Sequence, residues 1–174
     1  DLHAACSAAV VNHPSSAFDM VRTGLMTYGV WPAHGAPAPI SLKPVLRWES
    51  RVVLVKNVRA GSSVGYGRTY VAPEPARIAI VPVGYADGYP YQASNRADVL
   101  IHGHRCPIRG TVCMDQIAAD VTALSACEIG DPVVLIGSDG DERIDERELA
   151  RHAQTIPYDI LTGLGARVTR EYIE

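Results

Sequence analysis

Short runs of alternating apolar and polar residues fill the chain from residue 44 onward, a pattern typical of β-strands. Residues 76–83 are almost wholly apolar, which predicts a central strand buried on both faces. Turn-forming Gly, Asn and Asp separate the runs at the spacing of an all-β barrel or sandwich. The predicted strands are residues 45–57, 64–71, 76–83, 98–101, 105–108, 111–121, 132–136 and 166–173. We therefore expect a mainly β, barrel-like domain over residues 44–174.

The chain before residue 44 has a different pattern. Ala-rich residues 4–11 predict a short helix, and residues 18–26 contain a short predicted strand. Residues 31–39 are rich in Pro, Ala and Gly, which predicts a linker. This shift in composition divides the chain into residues 1–43 and 44–174.

Local signals predict one helix and two hairpins within the β region. Asp145 can cap a helix, with Glu148 three residues later, and the helix is expected to end near Gln154. A Gly-containing turn between residues 98–101 and 105–108 predicts a hairpin. The acidic segment at residues 139–142 lacks the spacing of an EF-hand loop, so we expect a solvated hairpin there rather than a calcium site.

Composition excludes several classes of function. The chain has 174 residues, 47% hydrophobic residues and a net charge of −3, with acidic and basic residues interspersed. No basic stripe suggests a nucleic-acid partner, and the longest apolar runs are far below the roughly 20 residues that span a membrane. The cysteines lack the paired spacing of zinc ligands, so we expect no metal and free thiols in a cytoplasmic protein. Cys6, Cys106, Cys113 and Cys127 are those cysteines.

Tyrosine is the unusual residue type, with eight copies against a single Phe. A tyrosine contributes the same apolar ring as Phe together with a hydroxyl that can bind or transfer a proton. Several tyrosines stand beside glycines at the ends of predicted strands. Each of them taken alone is explained by aromatic packing over a Gly turn, and their combined pattern carries the functional signal.

Segments distributed along the whole chain resemble the alanine racemase family in the order of that family. They are HAACS at 3–7, VRTGLMTYG at 21–29, VGYGRTY at 64–70, VGYADGY at 83–89, GTVCMDQ at 110–116, TIPYDI at 155–160 and RVTR at 167–170. The resemblance implies that residues 1–43 are the C-terminal end of a pyridoxal-phosphate (PLP)-binding (β/α)8 barrel. It implies that residues 44–174 are the family's C-terminal β domain.

The resemblance implies PLP-dependent racemisation of L-alanine to D-alanine, which supplies a precursor of bacterial cell-wall peptidoglycan. It implies a homodimer whose sites are shared between subunits. Racemisation requires a proton to leave one face of the substrate and return on the other. Tyr66 resembles the family's tyrosine base, which acts from the partner subunit, while a lysine of the N-terminal barrel serves the opposite face.

The cofactor-binding residues are also implied by the resemblance. Arg22 resembles the arginine at the pyridine nitrogen; a guanidinium does not readily give up a proton, so this nitrogen would stay largely unprotonated. Gly24 and Leu25 resemble backbone donors to the PLP phosphate, and Ser7 and Tyr158 resemble its hydroxyl donors. A surface arginine, a helix-surface serine and a packing tyrosine are the alternative interpretations from the residues alone.

Substrate selection is implied at three further positions. Met114 resembles the residue whose backbone N–H binds the substrate carboxylate, and Tyr85 resembles a residue that limits side-chain size. Asp115 is expected to organise the site, and a hydrogen-bonded aspartate at a strand end is the alternative interpretation. Two positions depart from the family: Cys6 replaces a usual Asn, and Thr111 replaces a usual Arg or Lys at the outer substrate entrance. A broader-specificity or serine racemase is therefore an alternative.

The lysine that binds PLP covalently is expected to be absent from this chain. A (β/α)8 barrel needs about 250 residues, and few precede residue 44. Lys43 and Lys56 lie in no matching motif. We therefore expect the chain to be inactive alone and to require the barrel half as its partner.

Two further functions are alternatives. One is a PLP-dependent decarboxylase of similar design, and the VGYGRTY motif argues against it. The other is a non-catalytic β-domain module, and the joint presence of Tyr66, Arg22 and Met114 argues against it.

Overall fold

The computed structural model describes residues 1–32 and 40–173. They form two compact units, Asp1–Leu46 and Arg47–Glu174. Most of the predicted linker, residues 33–39, lies outside the described residues. Among the described residues, every helix is too short or too polar to span a membrane.

The first unit contains a parallel pair of strands, β1 (His3–Cys6) and β2 (Met20–Arg22), with helix α1 (Ser7–Asn12) in the connection between them. The predicted helix over residues 4–11 is wrong for its first three residues. Those residues belong to β1, where backbone pairing with β2 overrides the helix propensity of alanine. The short strand predicted within residues 18–26 is confirmed.

The second unit is mainly β, as predicted, and its strands pair antiparallel. They are β3 (Trp48–Arg51), β4 (Leu54–Val58), β5 (Ser63–Val64), β6 (Tyr70–Val71), β7 (Ala76–Val81), β8 (Asp98–Ile101), β9 (His104–Pro107), β10 (Ile117–Asp120), β11 (Pro132–Asp139) and β12 (Glu142–Ile144). One sheet has the order β10-β7-β4, a second has the order β12-β11-β8-β9 with β3 also on β11, and β5 pairs with β6. A single bridge between Ile108 and Ala119 connects the first two sheets, and the described strands do not close into a barrel.

The core is built on β7, β8 and β11. The prediction that residues 76–83 form a central buried strand is confirmed, because β7 lies between β4 and β10.

The single strand predicted over residues 45–57 is instead two strands, β3 and β4. The Val52 N–H donates to Asp131 O at 2.9 Å, and the next N–H, of Val53, donates to Ile80 O at 2.9 Å. The chain therefore changes sheets between two adjacent residues, which an alternating pattern does not reveal.

Both predicted hairpins are present. His102 and Gly103 connect β8 to β9 with φ angles of 52° and 73°, the left-handed pair that a two-residue hairpin turn requires. The acidic segment forms the hairpin between β11 and β12. Asp139 within it accepts a hydrogen bond from the Gly103 N–H at 2.7 Å, so each hairpin stabilises the other.

The predicted helix is α2 (Glu146–His152), and its cap is confirmed: Asp145 Oδ1 accepts from the Glu148 N–H at 2.8 Å. A second helix, α3 (Pro157–Gly163), was not predicted from the sequence. Pro157 indicated the end of a helix, but it occupies the first helical turn of α3, where the missing N–H has no partner to lose.

Three further predicted strands are wrong in whole or in part. Residues 64–71 form the β5–β6 hairpin, residues 111–116 form a loop before β10, and residues 166–173 form no strand. In the last case the Arg170 guanidinium donates to backbone carbonyls at Leu164 and Gly165. These contacts fold the C-terminal segment back on itself.

The buried carboxyl group of Glu146 predicts how stability depends on pH. Glu146 is 2% exposed, its Oε1 has no hydrogen-bond partner, and burial raises the pKa of its side chain. A raised carboxyl pKa means that its contribution to stability is full below the unfolded-state pKa and is lost as the pH rises through the folded-state pKa. Glu146→Gln should therefore raise the free energy of unfolding at pH 7.5 and have little effect near pH 4, measured by urea denaturation.

The control for this measurement is Glu74→Gln, which changes an exposed carboxylate. Glu74→Gln should change the free energy of unfolding by the same small amount at both pH values. A Glu146→Gln effect that is independent of pH would contradict the account.

Candidate active site

Tyr66 lies in a tight turn between the two-residue strands β5 and β6. Gly65, Gly67 and Arg68 in this turn all have left-handed φ angles, of 74°, 70° and 52°. Two of these positions are glycines, which adopt such angles without steric cost. The turn presents the Tyr66 side chain to the surface of this chain, where it is 76% exposed.

The loop at residues 110–116, which we call the carboxylate loop, contacts two tyrosine turns. On one side, the Thr111 hydroxyl donates to Tyr66 O at 3.0 Å. On the other side, the Tyr85 N–H donates to Cys113 O at 3.0 Å, and the next N–H donates to Met114 O at 3.0 Å. The loop therefore brings Tyr66, Tyr85 and Met114 to one region of the second unit.

A chain of ionic contacts holds the same region together. Asp87, which is largely buried, accepts from the Gly84 N–H at 2.9 Å and lies 3.3 Å from Arg167 Nε. Arg167 Nη2 lies 2.7 Å from Asp115 Oδ1. The hydrogen bond to Asp115 and the charge of Asp87 raise the pKa of Arg167. Arg167 thus holds Asp115 in place, and the role of Asp115 in organising the site stays a prediction. Asp87 and Arg167 were not predicted to participate, although both lie in the motifs that carry the resemblance.

Tyr158 lies on a different element, the first turn of α3, and its side chain is exposed. The end of α3 adjoins the Tyr85 turn. Gly165 N–H donates to Asp87 O at 2.9 Å, and Gly88, with φ of 100°, has the Gly163 carbonyl where a side chain would lie. The helix that carries Tyr158 is therefore anchored next to the turn that carries Tyr85.

The remaining predicted site residues belong to the first unit. The buried Ser7 hydroxyl accepts from the Gly24 N–H at 2.9 Å and from the Met26 N–H at 3.4 Å. The place where a side chain on Gly24 would lie has no atom within 4 Å. Leu25 is buried and begins a 3-10 turn, Leu25–Tyr28. The Ser7 hydroxyl accepts both of these bonds and keeps its own proton available for an anion.

Arg22 lies at the end of β2 and donates to Nδ1 of His3 on the adjacent strand. Because a guanidinium can only donate, His3 Nδ1 is the acceptor of this contact. Cys6 pairs with Arg22 in the strand register, and its thiol is exposed. Hydrogen bonds from the backbone at Ala9 and Ala8 lower the pKa of the Cys6 thiol, with a smaller contribution from the Arg22 charge.

All the cysteines are free thiols, and Cys106 and Cys127 are buried. Burial raises the pKa of the Cys106 thiol to about 12. Among residues 1–32 and 40–173, no group of three or more His, Cys, Asp or Glu side chains is arranged to hold a metal ion.

Comparisons with family models, curated proteins and solved structures all point to one family. Residues 45–172 match the family model described as alanine racemase, C-terminal domain. The chain is 49% identical over 170 residues to the alanine racemase of Symbiobacterium thermophilum, a match that covers 98% of this chain and 45% of the relative. The chain thus spans about half the length of the curated relatives that it matches.

Solved structures agree with this comparison. The fold is similar to alanine racemase from D-cycloserine-producing Streptomyces lavendulae, with a TM-score of 0.93, 40% identity, and coverage of 99% of this chain and 45% of that chain. It is also similar to alanine racemase from Bartonella henselae with covalently bound pyridoxal phosphate, with a TM-score of 0.89 and 37% identity over 97% of this chain and 46% of that chain.

The contact between Gly84 and the carboxylate loop predicts a sharp effect of substitution. A side chain at Gly84 would collide with the backbone carbonyls of Cys113 and Met114. Gly84→Ala should therefore separate the Tyr85 turn from the loop and reduce the free energy of unfolding by about 1–3 kcal/mol, measured by urea denaturation. Gly163→Ala is the matched control, because the nearest atom to its added methyl group is 3.9 Å away. Equal stability losses in the two variants would contradict the prediction.

Proposed function

This chain belongs to the alanine racemase family, and we propose that it is the C-terminal portion of a PLP-dependent enzyme that interconverts L-alanine and D-alanine. The observation that carries the proposal is the convergence of Tyr66, Tyr85 and Met114 around the carboxylate loop. A tyrosine hydroxyl can transfer a proton, and a backbone N–H can bind a carboxylate, so the region combines the two functions that amino-acid racemisation requires.

We assign residues 1–43 to the C-terminal end of the (β/α)8 barrel and residues 44–174 to the β domain. The parallel pairing of β1 and β2, with a helix in their connection, supports the first assignment, because parallel strands joined through helices build such barrels. The match of residues 45–172 to the family's C-terminal domain supports the second. The remaining length of the relatives accommodates the rest of the barrel and its PLP-binding lysine.

The first unit has groups that fit PLP. The Ser7 hydroxyl proton and the Leu25 N–H would hold the phosphate, and the Gly24 N–H, which donates to Ser7 Oγ in this structure, would exchange that acceptor for the phosphate. Arg22 would contact the pyridine nitrogen. When bound, PLP supplies an electron sink that acidifies the Cα–H of an amino acid.

The second unit provides the groups for the proton and the substrate. The Tyr66 hydroxyl exchanges a proton with the substrate Cα on one face, while the barrel lysine serves the other face. The Met114 N–H binds the substrate carboxylate, and Asp115 is held beside it by Arg167. The Tyr85 ring limits the size of the substrate side chain, which favours alanine.

The enzyme acts as a cytoplasmic homodimer in this proposal, with each site shared between subunits, and it supplies D-alanine for peptidoglycan. The exposure of Tyr66 and Met114, 76% and 53% in the single chain, leaves both side chains accessible to the rest of the enzyme and to a second subunit. Large apolar side chains exposed together on a protein surface are typical of contact regions.

Two residues bear on which amino acid the enzyme prefers. Thr111 and Cys6 replace the residues usual in the family, so serine is the competing substrate. Comparison of kcat/KM for L-alanine and L-serine with the complete enzyme distinguishes an alanine racemase from a broader one.

Tyr66→Phe in the complete enzyme should lower kcat for racemisation by about 10²- to 10⁴-fold, because it removes the group that transfers one of the two protons. The PLP adduct formed on the barrel chain by borohydride reduction should be unchanged. Tyr70→Phe is the matched control: Tyr70 lies in the same hairpin, and its ring contacts the Arg109 guanidinium, a contact that Phe preserves. Racemisation by Tyr66→Phe at the wild-type rate would refute the role of Tyr66.

The chain by itself should show no racemase activity and form no PLP adduct with borohydride, because neither of its lysines lies in a matching motif. Intact-mass measurement before and after reduction tests this directly. The adduct should appear on a polypeptide that carries the barrel half. Racemisation by the isolated chain would contradict the assignment of the second base to a lysine of the barrel half.

A further inference from the structure

Three side chains form a hydrogen-bonded relay that ends on the backbone of Tyr66. Asn95 Nδ2 lies 3.2 Å from Thr69 Oγ1, Thr69 Oγ1 lies 3.1 Å from Thr111 Oγ1, and Thr111 Oγ1 lies 3.0 Å from Tyr66 O. We call these residues the Asn95–Thr69–Thr111 relay. It joins the loop before β8, the end of the Tyr66 turn and the carboxylate loop.

The direction of every bond in the relay is fixed by chemistry. The Tyr66 carbonyl can only accept, so Thr111 donates to it and must accept from Thr69. Each hydroxyl has a single proton, so Thr69 in turn accepts from Asn95. The Asn95 amide is oriented independently, because its Oδ1 accepts from the Gly110 N–H at 2.6 Å.

The Tyr66 turn needs such an external contact. Its flanking strands are two residues each, so few ladder hydrogen bonds hold it. Arg68 adopts a left-handed φ of 52°, which is unfavourable for a residue with a side chain. A turn with this conformation persists when surrounding contacts determine it.

We propose that the Asn95–Thr69–Thr111 relay positions Tyr66 for proton transfer, an inference that rests on the proposed function of Tyr66 as a base. By binding the Tyr66 carbonyl, Thr111 restricts the backbone rotation next to the Cα that carries the phenol ring. A displacement of about 1 Å at a reacting group lowers a rate by about 100-fold. Thr111 is thus a positioning residue that acts through Tyr66 on catalysis, in addition to any effect at the substrate entrance.

The test uses the complete enzyme with Thr111→Val, which replaces the hydroxyl with a methyl group, and Thr111→Ser, which keeps the hydroxyl. Thr111→Val should lower kcat at least tenfold with KM within about twofold of wild type. Thr111→Ser should restore most of kcat. Thr69→Val, which removes the middle member, should reproduce the loss. Amide hydrogen exchange at residues 65–70, followed by mass spectrometry, should accelerate in both Val variants and remain near wild type in Thr111→Ser.

Thr122→Val is the matched control, because it removes a hydroxyl that donates to Asp120 and accepts from the Arg77 N–H, and that hydroxyl makes no hydrogen bond to the relay. It should leave kcat and exchange at residues 65–70 unchanged. Wild-type kcat in Thr111→Val would overturn the positioning proposal, and so would an increase in KM alone, which indicates a role in substrate access. Absence of racemisation in the wild-type enzyme would instead overturn the proposed function, and the positioning proposal with it.

Discussion

Close backbone contact around the carboxylate loop is the constraint on which the candidate site depends. The loop forms no strand, yet its carbonyls at Cys113 and Met114 accept hydrogen bonds from the Tyr85 turn. Those bonds require the Gly84 Cα to lie against the same carbonyls, which excludes any side chain there. Gly110 meets the equivalent limit on the opposite side, where a side chain would collide with the Val64 carbonyl next to the Tyr66 turn. The carboxylate loop therefore lies between the Tyr66 turn and the Tyr85 turn and contacts both of them.

The sheets below these turns supply the rigidity that the turns lack. Strands β7, β8 and β11 are the buried centres of the second unit. The Tyr85 turn follows β7, and the Tyr66 turn lies between the short strands β5 and β6. Arg105 reinforces this support by contacting Glu142, Glu148 and Asp98. Because the ion pairs are partly exposed, each contributes modestly to stability. Together they connect β9, which carries Arg105, to β8, β12 and helix α2. Functional groups on loops above a stable sheet are a recurrent arrangement in enzymes.

The proposed roles divide between the two units. The donors assigned to the phosphate are mostly in Asp1–Leu46, while the groups assigned to the proton and to the substrate carboxylate are in Arg47–Glu174. Within the first unit, Ser7 and Gly24 are already joined by a hydrogen bond, and Arg22 already contacts His3. Each unit therefore assembles its own part of the chemistry through local contacts.

The sequence by itself determined the features that depend on local chemistry. The apolar run of residues 76–83 specified the central strand, Asp145 specified the start of α2, and the Gly-containing turns specified the hairpins. The motifs distributed along the chain, taken together in their order, were sufficient to identify the family.

Only the tertiary structure decided the features that depend on distant partners. Residues 4–6 form a strand because β2 lies beside them, and the chain divides at Val52 because neighbouring N–H groups bond to different strands. The loop form of residues 111–116, and the roles of Arg167 and Thr111, follow from contacts with residues 28 to 80 positions away. Such contacts leave no periodic signal in the sequence, because each is formed by single side chains that the fold brings together.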